Sequence, residues 1–302
     1  MSRLRRLCLV ALLLINAGAG IADDDRDRRG EVRIRVDPDV RVDIEIIAGS
    51  IEFEVWDKPE VRIRSRGVPV TALDIESDTD WVSVRGSRGG GWLPIPISGR
   101  QIDLRIDVPK RSYVRAKTIN GSIEAKGVEG RISFHAANGE IEVEGAASEA
   151  YLETVTGDIE FEGKASRVEA RTVNGEIELS GVGGEVVASA MNGSIEVRGD
   201  VIERADLRTL SGSIDFEAAL APGARIKCKT ISGNITLGLP TDTSAVFDVQ
   251  SFSGRIRNEF GALNISGSRG GPGQRLEFKA GDGDGRVTLD TFSGRVEIRT
   301  RD

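Results

Sequence analysis

The chain has 302 residues, of which 41 are Lys or Arg and 48 are Asp or Glu, so its formal net charge at pH 7 is −7. This acidic balance argues against nucleic-acid binding, because most of such a surface repels phosphate. The 37 Gly residues, the low aromatic content and the many Val, Ile and Thr residues favour strands and tight turns over helices.

The first 22 residues have the pattern of a secretory signal peptide. Three Arg within residues 3–6 precede an apolar run over residues 7–15, and small residues follow as far as Ala22. The apolar run is too short to span a bilayer, so we expect cleavage after Ala19 or Ala22 and no membrane span in the mature protein. The sequence therefore predicts export to the periplasm or cell surface. The mature chain would have a net charge of −10 and one cysteine, Cys228, so an intramolecular disulfide is excluded.

Residues 23–110 are predicted to form an amino-terminal β cap and irregular coils. Apolar and polar residues alternate there as in strands, but at irregular spacing. A loop over residues 86–99 interrupts the pattern and carries Arg88 and Trp92. These two side chains are candidates for surface binding, because Trp beside Arg can stack on a sugar ring or insert into a partner. Alternatively, Trp92 covers the open end of the core, as the caps of repeat proteins do.

Residues 111–260 contain a regular repeat marked by a glycine. A dipeptide ending in Gly recurs every 18 residues at Asn120-Gly121, Asn138-Gly139, Thr156-Gly157, Asn174-Gly175 and Asn192-Gly193. Wider steps lead to Ser211-Gly212, Ser232-Gly233, Ser253-Gly254 and Ser293-Gly294, and Ala48-Gly49 is an early member. We call these residues the turn glycines, because Asn-Gly suits a tight turn and Gly supplies positive φ.

Alignment on the turn glycines shows columns of like residues. An isoleucine column stands two residues after the glycine: Ile51, Ile123, Ile141, Ile159, Ile177, Ile195, Ile214, Ile235, Ile256 and Val296. An acidic column follows it: Glu52, Glu124, Glu142, Glu160, Glu178, Glu196, Asp215 and Glu297. Before the glycine, apolar residues stand seven and five positions back and a small residue three back, as in Val168, Ala170 and Thr172. Each repeat therefore predicts two short strands and two turns.

Such a unit buries its apolar face only by stacking on its neighbours. The sequence therefore predicts an all-β fold, a parallel β-helix or β-solenoid with coils of about 18 residues. Parallel crossovers are right-handed in about 98% of cases, which favours a right-handed coil. Residues 261–302 are Gly-rich at first and then return to the repeat pattern as carboxy-terminal coils.

The repeats TVNGEIELSG, AMNGSIEVRG and TLSGSIDFEA, with IDVPKRS ahead of the first regular coil, resemble a known family. It is the bacterial β-strand-repeat domain of unknown function, often labelled an adhesin. The resemblance covers about residues 31–301 and implies an exported β-solenoid attached to the cell envelope. The family has no agreed catalytic or binding residues, so it assigns none to this chain.

Candidate chemistry is sparse. The acidic column can bind divalent cations or repel acidic polymers, but we favour a solvated face whose charges are relieved by Lys126, Arg198 or Lys229. His135 is the only histidine, and we expect it on the surface rather than in a zinc site or triad. Cys228 falls in an inward column and is expected to pack as a small apolar residue. Residues 281–285 read Gly-Asp-Gly-Asp-Gly and predict a turn rather than a calcium loop.

No catalytic, metal or cofactor site is assigned from the sequence. We expect a non-enzymatic envelope protein that serves as a scaffold or adhesin-like binding surface for an envelope component or protein partner. The alternatives are a polysaccharide-active β-helix enzyme, which needs convergent carboxylates, and a regulatory partner of a membrane signalling complex.

Overall fold

The computed structural model describes residues 30–86, 101–260, 265–267 and 273–301, and these ranges are almost entirely β-structure. The signal-like segment and the loop residues Arg88 and Trp92 lie outside the described residues. One short 3-10 turn, Val70–Ala72, is the only helical element in the described ranges. It follows that none of the described helical structure is long and apolar enough to cross a bilayer.

The described ranges contain twenty-four strands. They are β1 (Glu31–Arg35), β2 (Arg41–Glu45), β3 (Ile51–Trp56), β4 (Glu60–Arg66), β5 (Leu73–Ser77), β6 (Trp81–Gly86), β7 (Asp103–Pro109), β8 (Tyr113–Asn120), β9 (Ile123–Lys126), β10 (Arg131–Asn138), β11 (Ile141–Gly145), β12 (Glu149–Thr156), β13 (Ile159–Gly163), β14 (Arg167–Asn174), β15 (Ile177–Asn192), β16 (Ile195–Ser211), β17 (Ile214–Ser232), β18 (Ile235–Pro240), β19 (Ala245–Ser251), β20 (Ile256–Asn258), β21 (Ile265–Gly267), β22 (Gln274–Ala280), β23 (Gly285–Ser293) and β24 (Val296–Arg301).

The strands stack into two parallel sheets. β8, β10, β12 and β14 each end just before a turn glycine and pair side by side; we call this the leading sheet. β9, β11 and β13 begin two residues after a turn glycine and form the trailing sheet. From β15 to β17, single long strands run through both sheets. Ile141 pairs with Ile123 on one side and Ile159 on the other, so each coil lies directly on the preceding one.

This register confirms the predicted parallel β-solenoid; its right-handed sense stays a prediction. The inward columns form the core. Every member of the isoleucine column is at most 6% exposed. Phe53 and Phe134 stack inside with ring centroids 5.6 Å apart. Burial of each such side chain contributes roughly 1.5–3 kcal/mol, and stacking repeats that contribution layer by layer.

The turn glycines are required chiefly by close stacking of backbone on backbone. A Cβ on Gly139 would lie 1.9 Å from the carbonyl oxygen of Gly121. The same clash, at 1.9 and 1.8 Å, arises at Gly233 and Gly294, which are not among the positive-φ glycines. Positive φ, which the sequence suggested as the reason, therefore explains only some of these positions.

Where the residue three positions before the turn glycine is Thr154, Thr172, Thr209, Thr230 or Thr291, its hydroxyl ties the layer to the preceding one in the stack. Thr154 Oγ1 donates to the carbonyl oxygen of Gly139 at 3.0 Å, and Thr172 donates to that of Gly157 at 3.1 Å. Thr209, Thr230 and Thr291 repeat the contact in later layers. These hydroxyls satisfy turn carbonyls that would otherwise lack a partner.

The order of coils in space departs from chain order at both ends. At the amino-terminal end, the β2–β3 coil lies against β8–β9, and the later β6–β7 coil stacks outside it. At the other end, the last coil, β23–β24, stacks on β17 and β18, and the earlier β19–β20 coil lies outside it. Antiparallel strands cover both ends. At the amino-terminal end β5 pairs with β6, β4 pairs with β7, and β1 pairs with β4. At the carboxy-terminal end β22 pairs with β19, and β21 pairs with β22. The wide spacing of the last glycine dipeptides reflects this rearrangement.

Candidate functional site

A continuous column of apolar side chains runs along the outer surface of the leading sheet, two residues before each turn glycine. Residues seven, five and three before the glycine point inward, so the next residue points outward. In stacking order the column consists of Ile47, Ile119, Ala137, Val155, Val173, Met191, Leu210, Ile231, Phe292 and Phe252. We call it the apolar ladder.

The apolar ladder is exposed to solvent. Eight of its ten residues expose 43–54% of their surface, while Ala137 and Val173 are half-buried. The layers are about 4.8 Å apart, so the ladder extends over roughly 43 Å. At its carboxy-terminal end, Phe292 and Phe252 stack with ring centroids 4.6 Å apart. A single exposed apolar residue is ordinary, but eight of them aligned in one column indicate an interaction surface.

Two open grooves follow the apolar ladder. One, of about 990 Å³, runs from Ile47 to Val155, and the other, of about 1160 Å³, runs from Val155 to Phe252. Both are lined by Glu153 and Val155, so the grooves adjoin. Both grooves are open, and the apolar ladder runs through them as one continuous strip.

A column of mostly charged residues borders the apolar ladder, four residues before each turn glycine. In stacking order this charged column is Glu45, Lys117, His135, Glu153, Arg171, Ser189, Arg208, Lys229, Asp290 and Gln250. Several members form ion pairs on the same surface, such as Lys229 with Asp290. On the other side, Asn192 Nδ2 donates to Asn174 Oδ1 at 2.9 Å, part of a polar column.

The acidic column on the trailing sheet is paired in part with basic side chains. Lys126 pairs with Glu124 and lies 3.7 Å from Glu144, and Arg198 lies 3.0 Å from Glu178. The expectation that Lys229 relieves the charges of the acidic column is wrong, because Lys229 lies on the leading sheet in the charged column. Within the described residues, no group of three or more His, Cys, Asp or Glu side chains is arranged to hold a metal ion.

His135 lies in the charged column between two polar partners. Its Nδ1 is 3.3 Å from Glu153 Oε2, and its Nε2 is 3.4 Å from Ser133 Oγ, in the order of a catalytic triad that the sequence did not reveal. Burial lowers the pKa of His135, so the imidazole is neutral at pH 7. However, β10 pairs on both sides, so its backbone N–H groups serve the sheet and supply no oxyanion donors beside Ser133. The three groups form a polar contact rather than an active site.

Two further residues or segments occupy structural positions. Cys228 is fully buried beside Ile226, and burial raises the pKa of its thiol, so it packs as a small apolar residue. Residues 281–284 form the turn between β22 and β23, and Gly285 begins β23; within the turn the Gly283 N–H donates to Ser244 Oγ at 3.0 Å. The carboxylates of Asp282 and Asp284 belong to exposed residues.

Comparison with known proteins adds a family. A family model described as Toastrack DUF4097 matches residues 31–299. The chain is also similar to a solved candidate adhesin from Bacteroides fragilis, at 11% identity over 91% of this chain and 98% of that chain, with a TM-score of 0.45. A candidate adhesin from Parabacteroides merdae gives 14% identity, 89% and 95% coverage and a TM-score of 0.39.

A candidate lipid-binding protein from Parabacteroides distasonis gives 12% identity, 91% and 97% coverage and a TM-score of 0.33. No protein with a curated description matches the chain. Since these structural likenesses are distant, the functions that those names give are not transferred to this chain. Any function of this chain has to be argued from its own surface.

Proposed function

The chain belongs to the Toastrack DUF4097 family, and we propose that it is an exported, non-enzymatic scaffold of the cell envelope that docks onto a macromolecule through its apolar ladder. The observation that carries this proposal is the ladder itself: eight apolar side chains, each about half exposed, aligned on one face of a rigid solenoid. Two adjoining open grooves follow this strip along its length.

The size of the apolar ladder supports docking. At roughly 80 Å² of exposed surface for each of the eight side chains, the ladder presents an apolar area on the order of 600 Å², the upper end of what soluble monomers expose. Burial of this area at about 25 cal/mol per Å² corresponds to a gross gain of about 15 kcal/mol, before the costs of association are subtracted. Association costs on the order of 4–15 kcal/mol, so a partner that covers most of the ladder is needed for docking.

The distribution of chemical groups favours the interpretation that the ladder is a contact surface rather than an active site. Catalysis needs a nucleophile, acid or base converging with electrostatic donors in one pocket. The ladder consists of aliphatic and aromatic side chains, and residues with shifted pKa values, such as Asp107, His135 and Cys228, lie apart in different coils. A repeated column gives every layer the same chemistry, which suits extended contact.

Export is proposed from the signal-like residues 1–22. A mature chain with a single, fully buried cysteine suits an oxidising compartment, because its thiol is inaccessible. Fractionation of producing cells followed by amino-terminal sequencing tests this part. We expect a periplasmic or surface protein that begins after Ala19 or Ala22, and a cytoplasmic protein that retains residues 1–22 would refute export.

Site-specific photo-crosslinking in intact cells tests docking. A photoreactive residue replaces Leu210 in the apolar ladder, which is 43% exposed, or Val201, which lies outside the ladder and is 52% exposed. We expect a covalent adduct to an envelope macromolecule from position 210 and none from position 201. Equal crosslinking at both positions, or none at either, would refute docking through the ladder.

A further inference from the structure

We propose that the occupant of the apolar ladder is a second copy of this chain, and that two solenoids pair antiparallel, ladder against ladder. This inference rests on the docking function proposed above and specifies its partner and geometry. A two-fold axis parallel to the strands places each column opposite the same column of the second copy and reverses the order of the layers. The ladder then meets the ladder, and the charged column meets the charged column.

Layer spacing favours a second copy over an extended peptide. Both copies have the same interval of about 4.8 Å between layers, so all ten layers can remain in register over roughly 43 Å. An extended peptide, whose side chains on one face recur at about 6.6 Å, loses register with the ladder within a few layers. Two ladders match along their whole length by construction.

The sizes of the ladder residues favour the antiparallel arrangement. The amino-terminal half of the ladder is the smaller, and the carboxy-terminal half is the larger. With the layers reversed and centred, a larger residue faces a smaller one in every layer: Phe252 faces Ile47, Phe292 faces Ile119, Ile231 faces Ala137, Leu210 faces Val155 and Met191 faces Val173. A parallel pair would instead bring large residues together at one end and leave voids at the other, which close-packed interfaces avoid.

The charged column selects the centred register. In that register Lys117 faces Asp290 and Glu153 faces Arg208, with each contact made twice by symmetry. A slip of one layer places Arg171 opposite its own copy in one direction and opposite Arg208 in the other. Facing like charges oppose association, whereas facing opposite charges favour it. The second slip also places Glu153 opposite Lys229, so it offsets one attraction with one repulsion, whereas the centred register has two attractions.

The area is sufficient for a stable dimer. A standard interface buries about 800 Å² on each partner, with an apolar centre and a polar rim. The ladder supplies on the order of 600 Å² of that area. The flanking charged column and the polar column that contains Asn174 and Asn192 supply the rest as rim.

Sedimentation of the purified full chain, with a charge-exchange series, tests the proposal. We expect the wild type to sediment at twice the monomer mass at micromolar concentration. Lys117→Asp and Asp290→Lys should each weaken the dimer at least tenfold. The double variant should recover a clear part of that loss, because it restores opposite charges across the facing pair, although it also removes the ion pair of Asp290 with Lys229 of its own chain. Lys110→Asp, which changes an exposed lysine outside the charged column, should leave the dimer unchanged.

A variant at the centre of the apolar ladder tests the proposal without changing the charged column. Met191→Asp should give a folded monomer, whereas Val201→Asp, at a residue with matching exposure of 52% against 50%, should remain dimeric. A monomeric wild type, or a dimer indifferent to both Met191→Asp and the charge exchange, would overturn the second-copy proposal. If position 210 then still crosslinks to a different envelope macromolecule, docking stands and only the identity of the partner fails. If nothing crosslinks, both proposals fail.

Discussion

The isoleucine column and the apolar ladder have similar composition but opposite environments. Each contributes one apolar side chain per layer at a fixed distance from the turn glycine. Members of the isoleucine column are at most 6% exposed, whereas eight ladder residues are 43–54% exposed. The side of the sheet therefore decides the role: the first column holds the chain together, and the second is available to another molecule. Substitutions can separate these two roles.

The largest expected effect is at the turn between the two columns. Gly157→Ala places a Cβ 2.1 Å from the carbonyl oxygen of Gly139, so the stacked backbones must separate. We expect the free energy of unfolding, measured by urea titration, to fall by about 4 kcal/mol. Gly223→Ala is the control, because it also has positive φ, +75°, but no atom within 4 Å of the added Cβ. It should cost about 1 kcal/mol of strain. Equal losses would show that φ, not backbone stacking, requires these glycines.

Truncation within the two columns compares them directly. Ile159→Ala removes a side chain that is 1% exposed and should lower the free energy of unfolding by about 3 kcal/mol. Met191→Ala removes one that is 50% exposed and should change it by less than about 0.5 kcal/mol under conditions in which the protein is monomeric. Comparable losses in both variants would mean that the ladder is part of the core.

The outward-facing residue Asp107 tests whether burial, rather than the side of the sheet, determines how much a residue stabilises the fold. Asp107 points away from the core, but its side chain is only 5% exposed and lies 2.7 Å from Arg62 Nε and 2.9 Å from Arg64 Nη2. Burial opposes ionisation of Asp107, yet the hydrogen bonds and charges of both arginines outweigh it and hold the pKa below its ordinary value.

Because the folded-state pKa is lowered, this pair stabilises the fold above about pH 4 and the contribution is lost as the pH falls through the folded-state pKa. Asp107→Asn should therefore cost about 2 kcal/mol at pH 7 and progressively less in acid. Chemical unfolding at several pH values measures this difference. A cost that is constant down to pH 2 would contradict the assigned role of the carboxylate.

A smaller effect is expected at the threonine column. Thr172→Val keeps the shape of the side chain and removes the hydrogen bond from Oγ1 to the carbonyl oxygen of Gly157. The free energy of unfolding should fall by about 1 kcal/mol. Thr243→Val supplies a comparison outside the column, since Thr243 Oγ1 donates within its own turn to Pro240. A stabilised Thr172→Val protein would show that the hydroxyl does not tie the layers.

The regular coils were predictable from the sequence, because alternation and the glycine interval fix which residues stack. The isoleucine column was found in this way, and its burial is confirmed. The order of the terminal coils was not predictable. Pairing of β3 with both β7 and β9 depends on contacts between segments about 50 and 70 residues apart, which a local pattern does not encode.

The apolar ladder was missed, although its signal is present in the sequence. Its residues stand two positions before the turn glycine, directly after the inward small residue, and the alternation of the strand ends there. Only alignment of all ten glycines shows that an apolar residue recurs at this outward position. His135 was rightly placed on the surface, but its contact with Glu153 joins residues 18 apart and required the stacking register. Arg88 and Trp92 remain candidates for surface binding that lie outside the described residues.

Thiol labelling of the exported protein at native abundance tests most directly whether the apolar ladder is covered by a partner. Met191→Cys and Val201→Cys introduce thiols at residues that are 50% and 52% exposed in the isolated chain, and Cys228 is buried. If a partner covers the apolar ladder, a maleimide labels position 191 at least tenfold more slowly than position 201 in the envelope, and both positions label alike after dilution to monomer. Equal labelling rates in the envelope would contradict it.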